Sequence, residues 1–217
     1  IAKWDGATWS ALGLGSDGVV VTLAVSGANL YAGGDFTTAA GIQANRIAKW
    51  NGSSWSAVGS WTNNEVNVLA ASSGVVYAGG SFATVGGIAA NSIAKWDGSG
   101  WAGLGSGMND AVHAMAVADG AVYLGGGFLT AGGNTVNYVA KWNGSSWNAL
   151  GSGMNNTVYA LSVSGSDLYA GGAFTTAGGS VANRIAKWNG NEWSALGSGM
   201  DSNVYVLAFS GSNLYAG

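Results

Sequence analysis

The chain contains no cysteine, only one histidine and few charges, with 8% of its 217 residues being Asp, Glu, Lys or Arg. Each shortage excludes a class of function. Without cysteine there is no disulfide and no thiol chemistry, and the redox compartment is left open. Seven basic residues set against a net charge of −3 make no Lys/Arg patch, so nucleic acid is not expected as a partner. No run of about 18 apolar residues occurs, so no membrane span is expected either. Ile1-Ala-Lys-Trp4 has no signal-peptide pattern. The lone His113 is matched in the other copies of the repeat described below by Val21, Asn67, Tyr159 and Tyr205. No nucleophile or carboxylate is nominated beside it, which marks a tolerant strand position and not a catalytic one.

What the chain has in quantity is glycine, tryptophan and repetition. The phrase Ala-Lys-Trp-[Asp/Asn]-Gly-x-x-Trp begins at Ala2, Ala48, Ala94, Ala140 and Ala186, a constant step of 46 residues. It divides the chain into repeats 1–46, 47–92, 93–138 and 139–184 and a partial fifth, 185–217, with no linker between them. A single domain spanning 1–217 follows from that unbroken period. Helix is excluded by composition, since each of 39 glycines would cost a helix about 0.8–1 kcal/mol and no 3.6-residue apolar stripe compensates. Turn signals recur instead. Asp5-Gly6, Asn51-Gly52, Asp97-Gly98, Asn143-Gly144 and Asn189-Gly190 each separate two tryptophan-bearing segments. A second set, such as Ser73-Gly74 and Asp119-Gly120, divides a Val/Leu/Ala-rich run from a segment ending in Tyr-x-Gly. Each repeat therefore supplies four short strands, placed in the fourth copy at Val158–Ser164, 168–174, Ile185–Trp188 and 193–196. The expected fold class is an all-β, five-bladed β-propeller of four-stranded antiparallel blades. The ring closes where the N-terminal and C-terminal strands share one blade. A piece of a longer array, or strands exchanged between chains, stays open beside a closed monomer.

The run from Val158 to the doublet Gly171-Gly172, a loop, then Ile185-Ala-Lys-Trp188 and Trp193 resembles a kelch blade. The matching doublets are Gly33-Gly34, Gly79-Gly80 and Gly125-Gly126, and the aromatic pairs are Trp4/Trp9, Trp50/Trp55, Trp96/Trp101, Trp142/Trp147 and Trp188/Trp193. Tryptophan stands where kelch repeats commonly carry tyrosine. The resemblance implies a propeller fold and leaves activity open, since the family spans adaptor domains and a few oxidases. The paired indoles are expected to fill the joints between blades.

Candidate functional residues lie in the connections. Asp5 and Asp97 stand in turns where Asn serves equally well, which makes them turn formers. Asp17 and Asp201 share a position with Asn63, Asn109 and Asn155; calcium requires six to eight oxygens including several carboxylates, so no metal is expected there. No phosphate loop or cofactor motif is present, so no cofactor and no catalytic residue are assigned and the chain is not expected to be an enzyme. Lys3, Lys49, Lys95, Lys141 and Lys187 are expected to lay their stems over tryptophan faces. On the rim, Thr38, Thr84, Thr130 and Thr176 and the amides Asn45, Asn91, Asn137 and Asn183 are candidate ligand-binding groups, joined by Met108, Met154 and Met200. Trp61 breaks the symmetry, standing where Gly15, Gly107, Gly153 and Gly199 stand elsewhere. The leading expectation is a non-catalytic interaction scaffold that holds a protein on its loop face. The charge-poor Gly/Ser/Thr/Asn/Ala composition suits a bacterial extracellular or surface module. The alternatives are a multivalent carbohydrate-binding propeller with one weak site per blade, and an amplified or engineered repeat without a specific ligand.

Overall fold

A computed structural model describes residues 1–217. Every regular element in it is a strand, and no helix is long and apolar enough to cross a membrane. The chain divides into two compact units, Ile1–Gly103 and Leu104–Gly217. The first contains the hairpin Ala2–Trp4/Trp9–Ala11 and two four-stranded sheets. One sheet runs Val19–Ser26, Asn29–Asp35, Ile47–Trp50, Trp55–Ala57; the other runs Val66–Ser72, Val75–Gly80, Ile93–Trp96, Trp101–Gly103. The second unit repeats the plan with Val112–Ala118, Ala121–Gly126, Val139–Trp142, Trp147–Ala149, and with Val158–Ser164, Asp167–Gly172, Ile185–Trp188, Trp193–Ala195. It ends in the hairpin Leu207–Ser210/Asn213–Ala216. Each complete sheet is an antiparallel meander whose strands follow sequence order.

The expected four strands per repeat are present, with one shift. The second strand stops at its glycine doublet, or one residue beyond it at Asp35 in the first sheet, and not at the following phenylalanine. Phe36, Phe82, Phe128 and Phe174 instead anchor the loop beyond, each buried and each offering its carbonyl to the backbone N–H ten residues on. The turns are built by side chains as well as glycine. Asn51 Oδ1 accepts the backbone N–H groups of Ser53 and Ser54 at 3.0 and 2.9 Å, and Asp97 does the same for Ser99 and Gly100. Asp and Asn are interchangeable here because only the acceptor oxygen is used.

The glycine doublet serves two contacts. In the third sheet, Val112 pairs with Gly126 and Ala114 with Gly125, so His113 is the extra residue of a β-bulge. Val21, Asn67 and Tyr159 are skipped in the same way. A Cβ on Gly126 would run into the carbonyl oxygen of Ala111 on the bulged strand. A Cβ on Gly125 would collide with Val158, the residue by which the next sheet's first strand closes on this one, and Gly33 faces Val66 and Gly171 faces Val204 alike. The first glycine of these three doublets, Gly33, Gly125 and Gly171, therefore sets the spacing to the next segment, and the second glycine admits the bulge.

The tryptophan pairs face one another across their hairpins, Trp50 opposite Trp55 and Trp142 opposite Trp147, with ring centroids 5.5 and 5.1 Å apart. In four of the five pairs the second indole reaches the preceding segment as expected. Trp55 Nε1 donates to the carbonyl of Leu12, Trp101 to Val58, Trp147 to Leu104 and Trp193 to Leu150, at 2.7–2.9 Å. Glycines cradle it: Trp147 lies against Gly105 and Gly132, and Trp193 against Gly151 and Gly178. Trp9, which has no preceding sheet within its unit, is 70% exposed.

Candidate functional site

The loop between the second and third strands carries a feature that alternation could not signal, a hairpin of two-residue strands. It forms at Thr38–Ala39/Ile42–Gln43, Thr84–Val85/Ile88–Ala89, Thr130–Ala131/Asn134–Thr135 and Thr176–Ala177/Ser180–Val181. The residue of each that leads into its turn is bridged to the connection entering its sheet, as Ala131 is to Met108 and Ala177 to Met154.

The ring of Asp and Asn side chains in that connection holds these hairpins. Asp17 Oδ1 accepts the backbone N–H groups of Thr37 and Thr38, each at 2.8 Å. Asn63 does so for Ala83 and Thr84, Asn109 for Leu129 and Thr130, and Asn155 for Thr175 and Thr176. The Thr37 hydroxyl donates to Asp17 Oδ2, and this bond, with the Thr38 N–H next, lowers the Asp17 carboxyl to about 2. The backbone of Thr38, Thr84, Thr130 and Thr176 is thus committed to structure, and their side chains are half-buried.

The rim asparagines also have structural duties. Asn45, Asn91 and Asn137 adopt φ of 43°, 41° and 51°, a left-handed conformation that asparagine tolerates better than other side chains. Asn137 Nδ2 donates to the Ser152 carbonyl at 2.9 Å and Asn183 Nδ2 to that of Ser198 at 3.0 Å. The carbonyls of the same two asparagines accept from Met154 and Met200. Met108 and Met154 are buried, so they belong to the core and not to the rim. The lysines also depart from expectation. Lys141 lies 5.3 Å from the ring centroid of Tyr123, its cross-strand neighbour, and not over a tryptophan, while Lys187 pairs with Asp167 at 3.2 Å.

Two aromatic features remain. Trp61 is 60% exposed and borders a cavity of about 220 Å³ with Gln43, Asn45 and Ser60. The structure therefore joins Trp61 to one of the four candidate asparagines. In the second unit, the bulge residues His113 and Tyr159 and their repeat equivalent Tyr205 form a row, with centroids 5.8 and 5.0 Å apart. Burial lowers the His113 pKa, opposed by the charge of Asp110. The shared repeat position of these three rings was visible in the sequence, but their stacking depends on the bulge.

No protein-family model and no curated protein matches the chain. Solved structures do resemble it. The WD40 β-propeller domain of Doa1 superposes with a TM-score of 0.62 at 18% identity, over 92% of this chain and 61% of that one. A chain of the nidogen/laminin complex gives 0.62 at 13% identity, over 91% and 71%. The computationally designed Ika4 protein gives 0.55 at 17% identity, over 81% of this chain and 94% of its own. At these identities the likeness is one of fold, and the four-stranded meanders of this chain are β-propeller blades.

Proposed function

We propose that the chain is a non-catalytic interaction domain, a five-bladed propeller with a kelch-like repeat, that holds a protein partner on the returning strands of its small hairpins. The observation that carries this reading is a contrast within each repeat. The first strand of every hairpin is fixed by the same Asp/Asn acceptor, while the exposed residues of its returning strand change from copy to copy. Ile42-Gln43 becomes Ile88-Ala89, Asn134-Thr135 and Ser180-Val181. Val181 on its returning strand, and Leu129 just before the hairpin that Asn109 holds, add exposed apolar surface. Variable exposed residues on a rigidly held loop are the usual arrangement of binding loops. The nidogen/laminin neighbour is itself a protein complex. Composition favours an extracellular or cell-surface setting. Peptides selected from a displayed library on the immobilised domain are expected to lose at least about tenfold in affinity with Leu129→Ser or Val181→Ser. They should be indifferent to Lys95→Ala. Selected peptides insensitive to both Leu129→Ser and Val181→Ser would overturn the reading.

The fifth blade in this proposal follows from repeat arithmetic. The hairpin at residues 2–11 corresponds to third and fourth strands, and that at 207–216 to first and second strands. Complete blades pair Ala32 with Ala48, whose counterparts are Ala216 and Ala2. In a chain without native cysteine, Ala2→Cys/Ala216→Cys is expected to oxidise to a disulfide-closed monomer, read by thiol titration and light scattering. Covalent dimers would show strand exchange between chains, and two persistent thiols would refute the shared blade.

A further inference from the structure

We infer that the cavity beside Trp61 is a binding site for a single neutral sugar ring, present in one repeat and absent from the others. Two independent departures from a near-exact repeat converge on it. Trp61 replaces a glycine, and Gln43 replaces Ala89, Thr135 and Val181. The replaced glycine is otherwise obligatory: Gly15, Gly107, Gly153 and Gly199 all have φ between 73° and 86°, and a Cβ on Gly153 or Gly199 would collide with the carbonyl of Asn137 or Asn183. Trp61 leaves that left-handed conformation, and the joint opens around it. Asn45 does not make the bond to Ser60 that its counterparts Asn137 and Asn183 make to Ser152 and Ser198, and its carbonyl does not take the N–H of Thr62. One duty of the old glycine survives, since the Trp61 carbonyl still accepts the Gly86 N–H at 3.0 Å. The opening is therefore local, and the loop is still anchored.

The result is an exposed indole face beside two side-chain amides and the Ser60 hydroxyl, with no charged residue in the lining. A pyranose matches this chemistry. Its C–H face stacks on the indole, while its hydroxyls both donate to and accept from amides, each of which offers both functions. No cation lines the cavity, and Arg46, next to Asn45 in the chain, is engaged with the Thr62 carbonyl and Asp35. The volume, about 220 Å³, is below the roughly 300–1,000 Å³ typical of pockets that enclose drug-sized ligands, which suits one terminal ring and not a buried oligosaccharide. The inference does not depend on the protein-binding reading, with whose variable residues it shares only Gln43.

The test is ligand-observed saturation-transfer NMR with methyl glycosides of glucose, galactose, mannose and N-acetylglucosamine, a method suited to weak binding. Transfer to at least one glycoside is expected, with one site per chain and a ring-proton pattern showing one face in contact. Trp61→Gly recreates the residue of the four other copies and is expected to fold, which its circular dichroism would show, yet to weaken binding at least about tenfold. Gln43→Val, the residue at 181, should weaken it by a smaller factor, and Trp61→Tyr should retain part of it. No transfer from any of the four glycosides, or transfer unchanged in Trp61→Gly, would overturn the assignment.

Discussion

Trp147→Ala is expected to destabilise the protein by about 3–5 kcal/mol, the range for removing a fully packed indole, because the void left cannot close. The ring is 4% exposed and bounded by Gly105 and Gly132. Neither glycine has a side chain to move into the vacancy. A second loss adds to the first, since the Leu104 carbonyl gives up the 2.8 Å bond from Trp147 Nε1. Trp147→Phe separates the two effects by restoring much of the ring without the donor, and should cost less than Ala. Urea unfolding followed by circular dichroism measures both. A cost below about 1 kcal/mol for Trp147→Ala would mean that the indole is not a principal element of the joint.

The same joint shows how much of the fold was legible beforehand. The period, the four strands and the role of the second tryptophan all follow from spacing, because strand alternation and Asn-Gly or Asp-Gly turns are local signals. The two-residue hairpins are not local in that sense. They exist because Asp17, Asn63, Asn109 and Asn155 reach 20 and 21 residues along the chain to hold two N–H groups each. The sequence placed these acceptors in the correct connection, but nothing in their spacing indicated their partners. Met108 and Met154 followed the opposite course: placed on the rim by position, they are buried because each is bridged to the first strand of the next small hairpin, at Ala131 and Ala177. Trp61 was legible as an exception, since it replaces a residue constant in the other copies. That Gln43 and Asn45 border the same cavity became clear only once the chain was folded.

Glycine content alone says little about where glycine is required, and one pair of substitutions separates the cases. Gly126→Ala is expected to destabilise by about 3 kcal/mol or more, at or beyond the usual upper limit for overpacking. The added methyl meets the backbone carbonyl of Ala111, which is fixed by the bulge and cannot rotate away as a side chain would. The register at Val112 and Ala114 would have to shift, which also displaces His113 from its row with Tyr159 and Tyr205. Gly100→Ala is expected to do the reverse. No atom lies within 4 Å of a Cβ built there, its φ lies outside the left-handed region, and the other copies carry Thr8, Ser54, Ser146 and Glu192. Restricting the unfolded chain at such a site stabilises by about 0.4–1 kcal/mol. Thermal and urea unfolding of the two variants should thus move in opposite directions from the parent. Equal effects would mean that the doublet tolerates a side chain, and that the bulge, with the row of rings it aims, is not what the second glycine is for.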